Sequence, residues 1–356
     1  MTFSDFFLIL NTVLPIFPVF NQFYYAQIIS KYMDLENYGP FLITGGAGFI
    51  GSHLAEKLST LDIRIKILDN FSTGNVSNLE QISSNKNIEI IKSDLNNLEN
   101  IPDLLKGIKT VFHLAAYPEV RTGFEKPEIA FDENIKNTFN LLELIRKSDV
   151  EHIVFSSSSV VYGEPSLIPT PENYGPLLPI SPYGGSKLAC EGLISSYCFN
   201  YNIHGVMLRL ANVIGSRSRH GVIWDFLNKL KNNSNELEIL GNGKQTKSYI
   251  HVSDCIEGFL FSLLESKNKV DVYNIGNDDK IDVLEIGNIV CDSMNLSNTT
   301  LKTKGGTMDG RGWIGDVVLM LLDISKLTAL GWHPHHSSHE SVKKSTNELL
   351  DELNNL

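Results

Sequence analysis

The chain has 356 residues, with 30 lysines and arginines against 41 aspartates and glutamates, which gives a formal net charge of −11. A chain of this length can bury the cores of two or more domains, and 42% hydrophobic with 20% charged residues is typical of a globular protein. The acidic balance argues against nucleic-acid binding, because phosphates would be repelled and no basic stripe is evident.

Four cysteines stand far apart without a Cys-x-x-Cys pair: Cys190, Cys198, Cys255 and Cys291. This spacing indicates neither a disulfide framework nor a zinc site. We therefore expect a reduced, cytoplasmic protein that holds no metal.

Residues 1–38 differ in character from the rest. They contain the apolar run FFLILNTVLPIFPVF, from Phe6 to Phe20. Asp5 and the lack of a basic start argue against a secretory signal, and polar residues and prolines interrupt the run before it could cross a membrane. We interpret this segment as an extension, either an arm or an artefact of translation upstream of Met33, and membrane contact is disfavoured.

From Gly39 onward, short apolar runs alternate with stretches of helical pattern. The runs FLIT, RIKIL, IEIIK, TVFHL, HIVFS and GVMLRL are almost continuously apolar, as buried parallel strands are. Helical patterns such as Ile50 to Ser59 and Glu128 to Lys147 lie between them. This order predicts an α/β protein with a doubly wound parallel sheet.

Beyond about residue 210 the alternation loosens. Short strands near Leu237 to Leu240 and Val272 to Ile275 mix with helices, one of which begins at Asp282 with Glu285 in a capping-box pattern. We expect a smaller α/β lobe interleaved with the first. The predicted division assigns 39–210 and about 245–268 to the larger domain, and about 211–244 and 269–356 to the smaller lobe.

A glycine-rich segment, FLITGGAGFIGSHLAEKL, joins the first strand to the first helix. Its glycines allow a tight turn and a close backbone approach to a pyrophosphate at the helix N-terminus. Asp69 ends the next strand, 21 residues after Gly48, where a carboxylate accepts ribose hydroxyls and repels a 2′-phosphate. The pattern predicts a Rossmann-type domain that binds NAD, although Asp69 could instead cap the next turn.

Tyr183 and Lys187 lie four residues apart in SPYGGSKLACE, on one face of a predicted helix that runs to about Tyr201. A phenol is a weak base at neutral pH, and a nearby cation lowers its pKa. The serine run of VFSSSSVVYG ends the fifth predicted strand, where parallel sheets form a ligand crevice. These residues are candidates for acid–base catalysis, and the alternative is a solvated strand end beside a half-buried tyrosine.

From about Phe41 to its C-terminus the chain resembles the extended short-chain dehydrogenase/reductase family of nucleotide-sugar enzymes. The motifs that carry the resemblance are TGGAGFIGSHL, DNFSTG, HLAA, ENIKNTFNLLE, FSSSSVVYG, YGGSK, RLANVIG and YIHVSD. Within this family, RHGVIWDF and DGRGWIGDVVLMLLDISKL are most similar to the compact archaeal-type UDP-glucose 4-epimerases.

The resemblance implies bound NAD, a UDP-sugar substrate and a homodimer that pairs through helices near 128–147 and 183–201. It implies Tyr183 as the catalytic base, with Lys187 and with Ser158 as hydroxyl partner. The implied cofactor contacts are Gly45, Gly48, Phe49, Ile50, Gly51, Asp69, Asn70, Asp94, Leu95, Leu114, Ala115, Ala116, Asn134, Tyr183 and Lys187. The implied substrate contacts are Ser158, Tyr183, Asn212, Val222, Lys247 and Arg311.

Several departures from the family pattern bear on the reaction. Related 4,6-dehydratases carry an acidic pair where this chain has Ser159 and Val160, and a valine cannot remove a proton. Lys247 replaces the arginine of many relatives and lacks its bidentate fork. Arg311 stands two residues earlier in the sequence, relative to Asp316, than its counterpart in the long bacterial epimerases. The absence of the acidic pair at Ser159 and Val160 leaves epimerisation at C4 or simple oxidation. The tightly held cofactor that the resemblance implies favours epimerisation.

Other positions carry two interpretations. Asp94 could hold the adenine amino group or cap a helix, and Arg217 and Arg219 could touch a diphosphate or be solvated. Met320 stands where relatives gate N-acetylated sugars, and its flexible bulk leaves both outcomes open. The segment HPHHSSHE contains four histidines, His333, His335, His336 and His339. We expect them to lie in an exposed loop and to bind no metal.

We therefore predict 4-epimerisation of a UDP-hexose, between UDP-glucose and UDP-galactose, through a transient 4-ketose. The alternatives are a 4-epimerase of UDP-N-acetylhexosamine or UDP-uronate, and a non-catalytic NAD-binding protein. The presence of Tyr183, Lys187 and Ser158 argues against the last.

Overall fold

A computed structural model describes residues 34–100, 103–119, 125–308, 310–313 and 315–355. Most of the proposed N-terminal extension falls outside these residues. Its last part packs against the domain, because the helical turn Leu35–Tyr38 buries Leu35 fully and the Tyr38 carbonyl accepts the Thr110 hydroxyl at 2.7 Å. No helix in the described part of the chain is long and apolar enough to cross a membrane.

The strands, in chain order, are β1 (Phe41–Thr44), β2 (Ile65–Asp69), β3 (Ile88–Lys92), β4 (Thr110–His113), β5 (His152–Ser158), β6 (His204–Leu210), β7 (Asn212–Ile214), β8 (Glu236–Leu240), β9 (Thr246–Lys247), β10 (Tyr249–His251), β11 (Val270–Ile275), β12 (Ile281–Asp282), β13 (Thr300–Lys304) and β14 (Leu319–Met320).

The α-helices are α1 (Phe49–Leu58), α2 (Pro127–Ala130), α3 (Asn137–Ile145), α4 (Pro182–Tyr201), α5 (Val222–Asn232), α6 (Val252–Glu265), α7 (Val283–Ser293), α8 (Ser325–Thr328) and α9 (Ser338–Asn354). Shorter helical turns are Val76–Ile82, Leu95–Asn100 and Ser159–Tyr162, and a π-helical turn, Phe131–Lys136, joins α2 to α3.

The main sheet of the described residues has seven parallel strands in the order β11-β6-β5-β4-β1-β2-β3. Alternate side chains of β1 enter different core layers. Phe41 and Ile43 pack with α1 and α6, and Leu42 packs with α3 and α4. The helices therefore cover both faces, which explains the continuously apolar inner strands and confirms the doubly wound α/β fold. The edge strand β3, expected from its sequence to be buried, is only partly covered, with Ile90 38% exposed.

The strand Val270–Ile275 corrects one part of the predicted domain division. The sequence assigned it to the second lobe, whereas it pairs with His204–Leu210 along the edge of the main sheet. Its neighbours in sequence belong to irregular segments, so only the long-range pairing shows where it lies. The rest of the predicted division remains a prediction.

The helix predicted from Glu128 to Lys147 is interrupted. The π-helical turn Phe131–Lys136 inserts extra backbone between α2 and α3. It lets the buried Asn134 side chain accept the Tyr117 amide at 2.8 Å and donate to the Ser186 hydroxyl at 2.8 Å. Hydrophobic periodicity does not register such a turn, because the helix keeps its apolar face on both sides.

A second hydrophobic core unites α5, α7 and α9. Residues of α5 and of the loop before it face the carboxyl ends of the main strands across a cavity. The expected capping contact is present at the start of α7, where the Asp282 carboxylate accepts the Glu285 amide at 2.8 Å. The smaller lobe thus forms the second wall of the cavity.

A buried ion pair links β6 to α4. The Arg209 guanidinium on β6 donates to both carboxylate oxygens of Glu191 on α4, at 3.0 and 2.8 Å, and each residue is 5% exposed. The Ser157 hydroxyl donates to the same carboxylate at 2.5 Å. Removing one partner would leave an uncompensated charge in a dry site.

We predict that Arg209→Met lowers the free energy of unfolding by about 3–5 kcal/mol, because Glu191 is then buried without its counter-charge. Urea unfolding measures the change. The double variant Arg209→Met, Glu191→Leu removes both charges and should recover most of the loss. Equal losses in the single and double variants would show that the charge pair is not responsible.

Candidate functional site

A cavity of about 940 Å³ opens at the carboxyl ends of the main strands. It lies where the strand order reverses, since β1 pairs with β2 on one side and β4 on the other. Loops leave in opposite directions at such a point and a crevice forms between them. The described wall contains all the predicted cofactor residues except Asn134, and all the predicted substrate residues except Arg311.

The glycine-rich turn lies at one end of the cavity and leaves no room for side chains. Gly45 has a φ of +69°, and a Cβ on it would lie 2.7 Å from the Ala115 amide nitrogen. A Cβ on Gly51 would lie 2.2 Å from the Gly45 carbonyl oxygen. Gly48 precedes α1 and contributes no side-chain cap, so the first amides of this helix face the cavity.

Asp69 lines the next part of the wall. Its carboxylate accepts the Ala47 amide at 2.9 Å and the Phe71 amide at 2.8 Å, and the residue is 8% exposed. The turn-capping contact weighed from the sequence is therefore present. A carboxylate has four acceptor positions, so two backbone donors leave capacity for ribose hydroxyls.

Asp94 also meets the cavity, and its capping contact is present too. It accepts the Asn96 amide at 2.7 Å and the Asn70 side-chain amide at 2.8 Å. Burial raises the pKa of Asp94, but these hydrogen bonds outweigh it and hold the pKa below its ordinary value. The carboxylate stays charged, and its adenine contact remains a prediction.

These residues fit a dinucleotide. The crowded glycines form a cradle for a pyrophosphate beside the start of α1, and a carboxylate lies at the end of the next strand. The same carboxylate disfavours a 2′-phosphate by charge repulsion. The observed geometry is therefore compatible with NAD and opposes NADP.

The predicted catalytic residues converge at the other end. Ser158 ends β5, and Tyr183 and Lys187 lie on α4, whose first turn is fixed by the Ser181 hydroxyl accepting the Gly184 amide at 3.1 Å. All three residues line the cavity. The four-residue spacing on one helix and the end of a neighbouring strand bring them together.

Burial controls the charges of this group. It raises the pKa of Tyr183 to about 12, against the lowering effect of the Ser158 hydroxyl. It also lowers the pKa of Lys187 to about 8. The Lys187 ammonium donates to the Ser156 carbonyl at 2.8 Å and lies 4.8 Å from the Phe155 ring centre. At neutral pH the phenol is protonated and the lysine is mostly charged.

His113 belongs to a hydrogen-bond network that the sequence did not reveal. The ring is fully buried, and burial lowers its pKa to about 3, so it is neutral. Its Nε2 lies 2.9 Å from the Thr138 hydroxyl, which itself donates to the Asn134 carbonyl at 2.7 Å. Its Nδ1 therefore accepts the Thr44 hydroxyl at 2.8 Å. The HLAA motif was the available signal, and only the fold shows the partners.

Asn134 lies beside the cavity and outside its wall. Its side-chain bonds to Tyr117 and Ser186 connect the loop after β4 to the helix that carries Tyr183. The Ser186 hydroxyl donates in turn to the Tyr183 carbonyl at 2.8 Å. The direct cofactor contact implied by the resemblance remains a prediction.

The smaller lobe carries the predicted substrate residues. Asn212, Val222 and Lys247 line the cavity, and the Lys247 ammonium lies 2.6 Å from the Asp316 carboxylate. Arg311 lies behind this wall, with its guanidinium 2.6 Å from the Glu164 carboxylate. Neighbouring carboxylates thus balance both cations.

Further side chains of this wall are two arginines, whose role the sequence left open, and two tryptophans that it did not single out. Arg217 and Arg219 face the cavity, with Arg219 stacked 4.7 Å from the Trp224 ring, and Trp313 lies near Lys247. Both tryptophans stand in motifs already noted, RHGVIWDF and DGRGWIGDVV. Arg219, the partner of Trp224, lies in the same motif, whereas Lys247, near Trp313, comes from a distant segment.

The histidine-rich segment is only partly exposed. His333, His335 and His339 are exposed, whereas His336 is half-buried with its ring 3.0 Å from the buried Asp254 carboxylate. This carboxylate also accepts two backbone amides of the segment and so anchors it. Within the residues that the structure describes, no group of three or more histidines, cysteines or carboxylates could hold a metal.

A model of the NAD dependent epimerase/dehydratase family matches residues 41–276. A relative from Methanocaldococcus jannaschii named "Putative UDP-glucose 4-epimerase" is 36% identical over 311 residues, which cover 86% of this chain and 97% of the relative. A solved structure of a UDP-galactose 4-epimerase is 39% identical, with a TM-score of 0.76, over 88% of this chain and 99% of that one.

Another solved structure is a UDP-glucuronic acid 4-epimerase from Bacillus cereus in complex with UDP-glucuronic acid and NAD. It is 29% identical to this chain and has a TM-score of 0.78. The alignment covers 88% of this chain and 99% of that structure. The similar proteins therefore differ in the sugar named for them.

We predict that Gly51→Ala abolishes dinucleotide binding, because its methyl group would meet the Gly45 carbonyl oxygen at 2.2 Å. Titration with NAD, followed by calorimetry, measures the loss. Gly192→Ala is the matched control, since nothing lies within 4 Å of its added Cβ on α4. The control should gain about 0.5–1 kcal/mol of stability and bind normally. Unchanged binding in Gly51→Ala would contradict the cradle.

Proposed function

We propose that this chain, which belongs to the NAD-dependent epimerase/dehydratase family, inverts C4 of a UDP-hexose and interconverts UDP-glucose and UDP-galactose. The match confirms the family resemblance drawn from the motifs, and NAD as the cofactor. The sugar and the roles of individual residues are part of the proposal.

The observation that carries it is the composition of the catalytic end of the cavity. Tyr183, Lys187 and Ser158 meet there, and Val160 occupies the wall beside them. The resemblance places at this valine the glutamate that serves as base in the related dehydratases and that is characteristic of the related decarboxylases, and an isopropyl group cannot accept a proton. The remaining groups can move one proton on and off a hydroxyl, which is what C4 inversion requires.

Tyr183 would act as the base. As phenolate, it takes the proton of the sugar 4-hydroxyl, and Ser158 holds the reacting oxygen by a hydrogen bond. Lys187 favours the phenolate by its positive charge, at the end of the cavity where burial otherwise holds the phenol neutral. The same phenol returns the proton when the 4-ketose is reduced.

NAD, when bound, supplies the reversible acceptor for the hydride of C4. The glycine cradle and Asp69 would hold its pyrophosphate and ribose, with the nicotinamide end directed toward Tyr183. The 4-ketose must turn about its diphosphate linkage, so the lobe must hold the nucleotide and leave the sugar loosely contacted. Because oxidised NAD is regenerated within each catalytic cycle, no second substrate is required.

The nucleotide would lie along the smaller lobe. Arg217, Arg219 and Lys247 line this wall and supply positive charge for a diphosphate. Lys247 shares its charge with Asp316. Met320 lies in the same wall, 8% exposed, and its flexible thioether does not by itself select between a hexose and an N-acetylated sugar.

We predict that the purified protein converts UDP-glucose to UDP-galactose without added NAD. Sugar analysis after incubation measures the ratio of the two products. UDP-N-acetylglucosamine and UDP-glucuronic acid should react at most about a tenth as fast, a difference worth about 1.4 kcal/mol. Turnover confined to either of these two would overturn the hexose assignment in favour of that sugar.

Tyr183→Phe is the matched control for this experiment. It removes one oxygen atom and keeps the ring, so NAD should stay bound while interconversion is lost. Unchanged turnover would refute the assigned base. Binding of NAD with no turnover of any UDP-sugar by the parent protein would favour the non-catalytic alternative.

The pH dependence follows from the buried pair. The active form has a phenolate beside an ammonium and holds one proton less than the fully protonated pair. With the pKa of Lys187 at about 8 and that of Tyr183 at about 12, we predict that kcat/KM rises about tenfold per pH unit at acidic pH. It should level off by about pH 8, because the pair has then lost its first proton.

Lys187→Met provides the contrast. Without the ammonium, the phenol titrates alone, and burial raises its pKa above the ordinary value. The variant should therefore lose most activity at pH 7 and keep gaining activity above pH 9. Identical pH profiles of the initial rate for parent and variant would contradict a role of Lys187 in the deprotonation of Tyr183.

The expected homodimer stays a prediction. Phe131 and Phe139 are 57% and 45% exposed next to α4, on the helices implied by the resemblance. A second copy could cover them. A cytoplasmic location also remains a prediction.

A further inference from the structure

The loop of residues 215–221 crosses from the sheet to α5 and forms part of the cavity wall. We call it the strap. Its backbone is unusual, because Arg217 has a φ of +65°, a left-handed conformation that costs energy for a residue with a side chain. Other contacts must therefore hold this residue in place.

One set of contacts joins the strap to α1, the helix that begins at the glycine cradle. The Arg217 guanidinium donates to the Glu56 carboxylate at 2.5 Å and to the Ser52 hydroxyl at 3.2 Å. The Ser216 carbonyl lies 3.1 Å from His53 Nε2. The Arg217 side chain is only 15% exposed, so this ion pair is partly shielded from water.

A second set joins the strap to α9 in the smaller lobe. The Glu352 carboxylate accepts the Arg217 amide at 2.7 Å and lies 3.0 Å from the Arg219 guanidinium. Glu348 accepts the Ser216 amide at 3.0 Å. Carboxylates of α9 therefore fix the backbone whose arginine reaches across to α1.

We infer that the strap retains the dinucleotide, with Arg217, Glu56 and Glu352 as its positioning residues. The strap and the cradle of α1 line one cavity, and the Arg217–Glu56 pair ties them together along the side of that helix. A dinucleotide held between them leaves only when the strap moves away from α1. Breaking the pair at Glu56 should thus accelerate release without altering a side chain of the described cavity wall.

This role differs from simple stabilisation of the fold. Glu56 lies on the outer part of α1, 40% exposed at its side chain, and outside the described cavity wall. Its loss removes no apolar packing and no backbone hydrogen bond shown for it. A structural role alone would lower the melting temperature and leave the rate of NAD release unchanged.

The experiment compares NAD release from holoenzymes loaded to equal occupancy. Each protein is diluted at 25 °C, and free NAD in successive ultrafiltrates is measured by an enzymatic cycling assay. Glu56→Gln keeps the shape and removes the charge. Release should be about tenfold faster, because a charge-assisted hydrogen bond contributes about a factor of ten in an equilibrium.

Glu236→Gln is the matched control, since Glu236 pairs with Lys302 in an exposed strand pair outside the described cavity wall. It should release NAD at the parent rate. Arg217→Gln should accelerate release like Glu56→Gln, and the double variant should release no faster than the faster single variant, because both changes break the same pair.

Equal release rates, within twofold, for the parent, Glu56→Gln and Glu236→Gln would overturn the inference. Multiplying effects in the double variant would also overturn it, because the two residues would then act independently. The inference requires NAD in the cavity and no sugar chemistry. Its failure would therefore leave the proposed epimerisation intact, and inactivity toward UDP-sugars would leave the release rates interpretable.

Discussion

The Arg209–Glu191 ion pair holds together the segments that bring Ser158, Tyr183 and Lys187 to one end of the cavity. Glu191 lies one helical turn after Lys187 on α4, and Arg209 lies on β6 beside the strand that ends at Ser158. The Ser157 hydroxyl shares the same carboxylate. The end of β5 and helix α4 therefore keep a fixed separation, which the proposed proton transfer between phenol and substrate hydroxyl would require.

A second network ties the cofactor side to the same helix. The chain of bonds from Thr44 through His113 and Thr138 reaches the Asn134 backbone, and the Asn134 side chain reaches Ser186. It passes through the π-helical turn, whose extra backbone brings Asn134 to both partners. A neutral buried imidazole suits this position, because it donates at one nitrogen, accepts at the other and adds no charge near Lys187.

The smaller lobe contributes charge more than rigidity. Its cations are each opposed by a carboxylate, Lys247 by Asp316 and Arg219 by Glu352. A diphosphate would compete with these carboxylates for the same donors. Such an arrangement would hold the proposed nucleotide without an excess of positive charge, which agrees with the acidic balance of the whole chain.

The sequence by itself determined the parallel α/β fold, because apolar runs and a glycine-rich turn report local burial and backbone freedom. It also located Asp69, Tyr183 and Lys187, since short spacings on one helix or at a strand end survive folding unchanged, and the family resemblance selected Ser158 from its serine run. Only the tertiary structure decided which residues face one another.

Four assignments needed the tertiary structure. They are the edge strand Val270–Ile275, the π-helical turn at Asn134, the position of Arg311 behind the cavity wall, and the contacts of Arg217. Each depends on a partner far away in the chain. Local patterns carry no information on such pairs, because burial, charge balance and hydrogen-bond satisfaction are settled only when distant segments pack together.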